Sequence, residues 1–180
     1  MPNISPRNRN DVDPATATIL DQVQAKLGSV PNMFLTLAHS PVALNAYVKL
    51  ADVAGAGTLS AKQREQIALT VGEANQCGYC VAAHSVIGKM VGLNALEITQ
   101  ARSVSSVDAK TQAALTLAAQ VVERRGHLSA ADLASFKAAD FTDGDVLEVL
   151  VNVVLNLLTN YTNHIAGTDI DFPVPEKLAA

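Results

Sequence analysis

Apolar residues recur three or four positions apart along almost the whole chain, and residues with cap character separate the runs. That is the period of amphipathic helices, and no convincing stretch alternates apolar and polar residues as a half-buried strand would. Asp13-Pro14 places a cap before a proline suited to the first helical turn, and Ile19, Val23 and Leu27 carry a helix to Gly28. Pro31 opens a short element through Met33, Phe34 and Leu37, and Ser40-Pro41 repeats the cap signal for a helix running towards Ala54. Gly55 to Thr58 reads as a loop. Ser60 with Gln63 forms a capping-box pattern ahead of Ile67, Ala68 and Val71. Asn75-Gln76 marks a chain reversal, and a further helix runs from about Gly78 to Val91 and stops at Gly92.

The second half repeats these signals. Asn94 with Glu97 caps a short helix, Asp108 starts a long one through Leu115, Ala119 and Val122, and Ser129 with Asp132 caps another. Thr142 with Asp145 caps the last, through Leu147, Leu150, Val154 and Leu158 to about Ile165. Residues 1–12 and the tail 169–180, which holds Pro173 and Pro175, are expected to be extended ends. No linker and no tandem repeat interrupts the pattern. The expected architecture is all-α, a single domain over 1–180 with eight or nine helices.

A chain of 180 residues buries roughly 70% of its unfolded surface, so it folds without disulfide or metal staples. Hydrophobic residues make up 49% and charged residues 17%, which excludes general disorder. Aromatics are only 4% and Trp is absent, a balance that favours helices over a β-sandwich. The net charge of −4, from 13 basic against 17 acidic residues, offers no basic footprint for a phosphate backbone, so no nucleic-acid partner is expected. The residues from Met1 to Asn10 are polar and do not read as a signal peptide. The most apolar run, Val149 to Leu158, is broken by Asn152 and Asn156 and falls short of the ~20 apolar residues that span a bilayer. A cytoplasmic protein is expected. There, a Cys-x-x-Cys pair is more often redox-active or metal-binding than structural.

The only two cysteines stand as Cys77-Gly78-Tyr79-Cys80, and His84 follows four residues later. On a continuous helix Cys77, Cys80 and His84 fall at about 0°, 300° and 340°, within one arc of about 60°. Cys80 and His84 are one turn apart, within reach for an imidazole to take a thiol proton. If the helices on either side of Asn75-Gln76 are antiparallel, Glu65 lies level with residue 85 and its carboxylate faces His84. The order is then Glu65, His84, Cys80, Cys77. A free thiol, with a pKa near ~8.5, is mostly protonated at neutral pH, and the thiolate is the form that attacks a peroxide or a disulfide. A neighbouring second thiol condenses with the resulting sulfenic acid and prevents over-oxidation.

The pattern Glu65-x11-Cys77-x2-Cys80-x3-His84 resembles the core of AhpD-like alkylhydroperoxidases, within the carboxymuconolactone decarboxylase superfamily. Pro31-Asn32-Met33-Phe34, Leu59-Ser60 with Arg64-Glu65, and Asn160 to His164 through Asp171-Phe172-Pro173 resemble its peroxidase-related branch, so the likeness covers about residues 28 to 174. The resemblance implies an all-helical fold assembled as a homo-oligomer, with a hexamer favoured over a trimer or dimer. It implies reduction of a small-molecule hydroperoxide, with no cofactor and no metal in this chain, and a dithiol or protein reductant to restore the cysteines. Carried over, Cys80 is the attacking thiolate, Cys77 the resolving thiol, and Glu65 and His84 the proton relay. The founding alkylhydroperoxidases carry a His before the second Cys, where this chain has Tyr79.

Other readings stay open on the residues themselves. Cys77 and Cys80 can be buried small side chains, or zinc ligands with His84 and Glu65. Glu65 and His84 can serve acid/base chemistry of a decarboxylase or isomerase type, and the chain can be a non-enzymatic redox-sensing or metal-binding oligomer. Glu73 competes with Glu65 for the acid role. Asn152, Asn156, Asn160 and His164 recur every four residues on the most apolar helix, as a packing register or as a wall of the site with His164 behind it. His39 and His127 read as surface residues and Tyr79 as a pocket wall.

Overall fold

The cap residues cut the chain into helices close to where their side chains say they should. A computed structural model describes residues 1–178. It holds nine α-helices and no strand among the described residues: α1 Pro14–Leu27, α2 Asn32–Leu37, α3 Pro41–Gly55, α4 Ala61–Ala74, α5 Gly78–Met90, α6 Ala95–Arg102, α7 Ala109–Glu123, α8 Ala130–Lys137 and α9 Asp143–Ala166. Capping boxes close the starts of α4, α6, α8 and α9, each satisfying two backbone N–H groups that the helix cannot. The N-terminal end differs from the extended segment expected. Arg9–Asp11 forms a 3-10 turn, and the N–H groups of Asn3 and Ile4 donate to the Ala166 carbonyl at 2.7 and 3.1 Å. This places the first residues against the end of α9. No helix among the described residues is long and apolar enough to cross a membrane.

Helix α4 is the centre. Every residue from Gln66 to Gly72 is buried, which requires neighbours on all sides, and α5, α6, α7 and α9 supply them. Ile67, Leu69 and Val71 pack with Leu115, Val149 and Val153 in one apolar cluster. A second cluster joins Leu20, Met33, Phe34 and Leu44 from α1 to α3, and it contains Cys77, Tyr79 and Cys80. The sulfurs therefore lie inside a packed core.

The joint between α4 and α5 is two residues beyond the α4 cap. Cys77 N–H donates to the Gly72 carbonyl at 2.8 Å and Gln76 N–H to that of Glu73 at 2.9 Å, the paired bonds of a Schellman closure. Gln76 occupies the left-handed position, φ 55°, which usually falls to glycine. Helix α5 begins at Gly78 as expected and Cys77 is its N-cap, so the helical angle assigned to Cys77 alongside Cys80 and His84 does not apply. Asn75 Nδ2 donates to the Val71 carbonyl at 3.0 Å and to Asn160 Oδ1 at 2.9 Å, tying the joint to α9.

A left-handed residue with a Cβ is strained by about 1–2 kcal/mol. Gln76 is exposed and no side-chain bond holds it there among the described residues. Gln76→Gly is expected to stabilise the fold by about 0.5 kcal/mol, after the greater entropy of the unfolded glycine chain is subtracted. Denaturant unfolding midpoints of the two proteins check this, and a destabilised variant contradicts it.

Candidate active site

Cys77 caps α5 with its sulfur, which accepts the Cys80 N–H at 3.3 Å. Cys80 stands in the first turn of that helix, and the two cysteines form a disulfide with a Cα–Cα separation of 5.3 Å. Both are buried, at 1% and 2% exposure. Cys80, and not Cys77, borders a slot of about 40 Å³ whose walls include Met33, Phe34, Tyr79, His84 and Phe172. A small molecule entering that slot meets Cys80 and not Cys77.

His84 follows one turn later on α5, and its Nδ1 lies 2.8 Å from Glu65 Oε2 on α4. The antiparallel hairpin thus brings together the carboxylate and imidazole expected from the spacing. With Nδ1–H donating to the carboxylate, the ring is held in one orientation and Nε2 is left as the acceptor. Both side chains are under one-fifth exposed, 19% for His84 and 17% for Glu65, so the pair keeps a path to solvent. That path is a second cavity of about 170 Å³, with Arg64, Glu65, Asn152 and Asn156 on its walls. Tyr47 and His84 line both cavities. Burial, reinforced by the Glu65 charge, pushes the Tyr47 phenol up to about 12, so it remains a donor at any working pH. A larger open groove of about 510 Å³ between α7 and α8 has Gln112, Thr116, Asp132 and Phe136 on its walls but no thiol or imidazole, so volume alone does not mark the site.

Glu73 is not part of this cluster. It faces Arg102 of α6, whose Nε donates to Glu73 Oε2 at 2.8 Å while Nη1 donates to the Glu176 carbonyl at 2.8 Å. Eight positions on from Glu65, it is turned by about 80° around α4. Tyr79 is a wall, as its place between the cysteines suggests. Its hydroxyl accepts the Met33 N–H at 3.2 Å, its ring meets the edge of Phe172 at 5.7 Å, and burial holds its phenol far above the ordinary range. The segment carrying Phe172 is fastened across the start of α5. Asp171 Oδ2 accepts the Asn32 N–H at 2.7 Å, and Asn32 Nδ2 donates to the Asp169 carbonyl at 3.0 Å.

The polar stripe on α9 needs correction at its end. Asn152, Asn156 and Asn160 are buried, but His164 is exposed and lies on neither cavity wall. Each step of four overshoots a full turn by about 40°, so His164 is rotated about 120° from Asn152. Asn163, eleven positions from Asn152, is off by only about 20°. It takes the buried place, and its Nδ2 donates to Cys80 Sγ at 3.3 Å. Tyr47 and Asn163 are the site residues that the sequence reading missed. An eleven-residue period on α9 carries the signal for Asn163; nothing local marks Tyr47. His39 and His127 are exposed, as read. Among the described residues, no three His, Cys, Asp or Glu side chains converge as a metal-holding group.

A buried Cys-x-x-Cys pair thus lies beside a carboxylate–imidazole pair on an all-helical scaffold. Residues 41–124 match the Carboxymuconolactone decarboxylase family. An uncharacterized peroxidase-related protein from Ralstonia eutropha JMP134, an alkylhydroperoxidase AhpD core, superposes with a TM-score of 0.85 at 27% identity, over 93% of each chain. A peroxidase-related protein from Silicibacter sp. TM1040 gives 0.81 at 23% identity, over 93% of this chain and 92% of its own. A cysteine-to-alanine variant of the debrominase Bmp8, in complex with 2,3,4-tribromopyrrole, gives 0.81 at 20% identity, over 94% of this chain and 91% of its own. These last two share the fold. No curated protein matches the chain. The chain thus resembles the carboxymuconolactone decarboxylase family over residues 41–124 and has the fold of the AhpD-like, peroxidase-related proteins.

If Glu65 acts through His84, Glu65→Gln and His84→Ala should each slow alkylation of reduced Cys80 at neutral pH by on the order of tenfold, and the double variant should be no slower than the worse single one. Glu73→Gln should leave that rate unchanged while lowering stability, because it strips a buried Arg102 of its charge partner. Iodoacetamide kinetics on the Cys77→Ser background, with denaturant melts beside them, separate the two acids.

Proposed function

We propose that the protein is a thiol-dependent peroxidase that reduces hydroperoxides through Cys80 and Cys77, with His84 and Glu65 as the proton relay. The observation that carries this reading is the 2.8 Å Glu65–His84 bond, with His84 on the same cavity wall as Cys80. Reduced Cys80 gives its proton to the imidazole, and the thiolate attacks one peroxide oxygen. An S–O bond forms as the O–O bond breaks, sulfur is oxidised to a sulfenic acid, and the leaving alkoxide takes the proton from His84. The Cys77 thiolate then attacks the sulfenic sulfur, an S–S bond forms, and hydroxide leaves as water. A dithiol or protein reductant returns both sulfurs to thiols. Cys80 is assigned the attack because it alone faces the cavity, while the buried Cys77 stands next to it to resolve.

A second reading is supported by the aromatic lining of the slot, with Phe34, Tyr47, Tyr79 and Phe172 around Cys80, and by the debrominase that shares the fold. In it the Cys80 thiolate attacks the halogen of a small halogenated aromatic, the aromatic carbon takes a proton, and Cys77 displaces halide to form the disulfide. Acid/base chemistry by Glu65 and His84 alone is a third reading and makes no use of sulfur. Turnover of reduced protein with alkyl and hydrogen peroxides, a brominated pyrrole and a dithiol distinguishes the three. The peroxidase reading expects peroxide consumption that Cys80→Ser abolishes. In Cys77→Ser, a dimedone-type probe should label Cys80 after peroxide, and equal labelling of Cys77 in Cys80→Ser overturns the assignment.

We also propose a homo-oligomer joined through the outer face of α9. Leu147, Val151, Val154, Leu158, Tyr161 and Ile165 alternate steps of four and three, the spacing of a helix-pairing seam, and Leu147, Val154, Tyr161 and Ile165 are exposed. A hexamer is the favoured size. Light scattering at micromolar concentration should find no monomer, and Val154→Glu with Tyr161→Glu should shift the protein to smaller species. A monodisperse monomer of the unaltered chain removes the proposal.

A further inference from the structure

We propose that Asn163 is a catalytic residue: its side-chain amide, brought in by α9, donates to the Cys80 sulfur and stabilises it as the thiolate. The inference rests on the reading of Cys80 as the attacking sulfur. Burial works against that role, because a thiol enclosed in apolar surroundings resists ionisation. Cys80 is 2% exposed and lies in the cluster of Met33, Phe34 and Leu44. Something must offset the burial.

The start of α5 does not supply it. The Cys80 N–H is directed at Cys77 Sγ, 3.3 Å away, so the helix terminus serves the resolving sulfur. His84 stands one turn along, but its Nδ1 is bonded to Glu65, and the carboxylate cancels much of the positive charge that the imidazole would gain. Among the described residues, the side-chain donor that reaches Cys80 Sγ is Asn163 Nδ2, at 3.3 Å. An amide N–H is a donor at every pH, whereas an imidazole changes role as it titrates.

The orientation of the amide supports the same assignment. Asn163 Oδ1 is buried and has no hydrogen-bond partner among the described residues. An orphaned buried carbonyl is unfavourable, and an amide serving only as packing has no reason to accept it. A neutral thiol could donate its own proton to Oδ1 if the amide turned over. A thiolate and a disulfide sulfur have no proton to give, and both call for Nδ2. The amide therefore faces the sulfur in the orientation suited to the ionised and oxidised forms. Asn160, one turn earlier on α9, holds Asn75 at the joint, so one helix fixes both the loop that delivers the cysteines and the donor that meets one of them.

The test measures the Cys80 pKa in Cys77→Ser protein, where Cys80 is the only thiol, from thiolate absorbance and from the pH dependence of alkylation. Asn163→Leu is expected to raise that pKa by about one unit, and Asn163→Asp by more, because an anion then faces the sulfur. An unchanged pKa in either folded variant overturns the proposal. With Asn163 intact, its side-chain amide NMR resonance should shift with the same midpoint as the Cys80 titration. An amide that does not respond overturns the proposal too, and that measurement needs no variant of Asn163 to fold. None of these readouts uses peroxide. A protein with the expected pKa changes but no peroxide turnover defeats the peroxidase reading and leaves this one standing.

Discussion

The short joint between α4 and α5 sets the geometry of everything at the sulfurs. With only Asn75, the left-handed Gln76 and the capping Cys77 between the end of one helix and the start of the next, the two must run back along each other. Glu65, nine positions before the end of α4, then meets His84, six positions into α5, without any adjustable loop between them. A longer connection would let the helices slide, and a slide of one turn is about 5.4 Å, enough to separate carboxylate from imidazole. The strain at Gln76 and the bond from Asn75 to Asn160 fit that constraint: the joint is held in place by α9 as well as by its own backbone.

Burial is the second governing condition, and it acts in two directions. Enclosing Cys77 and Cys80 in an apolar cluster protects the sulfurs from indiscriminate oxidation, but it also disfavours the thiolate. The buried asparagine amides on the cavity walls and at the bond to the joint come from one element, α9. Asn152 and Asn156 lie beside the wider cavity near Glu65 and His84, and Asn160 and Asn163 reach the joint and the sulfur. The Asn152 and Asn156 amides donate to carbonyls one turn back on α9 itself, whereas those of Asn160 and Asn163 meet Asn75 and Cys80. The segment around Phe172 closes the remaining side, held by Asp171 against the backbone of Asn32.

The same scaffold carries a debrominase as well as peroxidase-related proteins, so fold alone does not choose a reaction. What the two thiol readings share is a nucleophilic sulfur facing a small aromatic slot, a resolving sulfur behind it, and a proton relay at the border with solvent. They differ in the bond that the sulfur breaks. The slot of about 40 Å³ beside Cys80 is far smaller than the neighbouring cavity, with which it shares Tyr47 and His84. In either thiol reading, the slot limits which reacting atom can reach Cys80.

Local rules were enough for much of this protein. Helix caps such as Ser60, Asn94, Ser129 and Thr142 act on backbone groups within one turn, so the sequence alone located most helix starts and the all-α class. The spacing of Glu65, Cys80 and His84 was equally legible, because a tight hairpin converts sequence distance directly into height along two helices. Three things were decided elsewhere. Glu73 was drawn away by Arg102, a residue on another helix whose buried charge required a partner. His164 lost its place to Asn163 because the burial of α9 follows the helical turn and not a strict step of four, and only packing against α5 reveals which residue reaches the sulfur. Tyr47 entered the site because α3 lies across the mouth of both cavities. Contacts between residues distant in sequence have no local signature. The sequence determined the helices and the spacing of Glu65, Cys77, Cys80 and His84, and the tertiary packing determined which neighbours surround them.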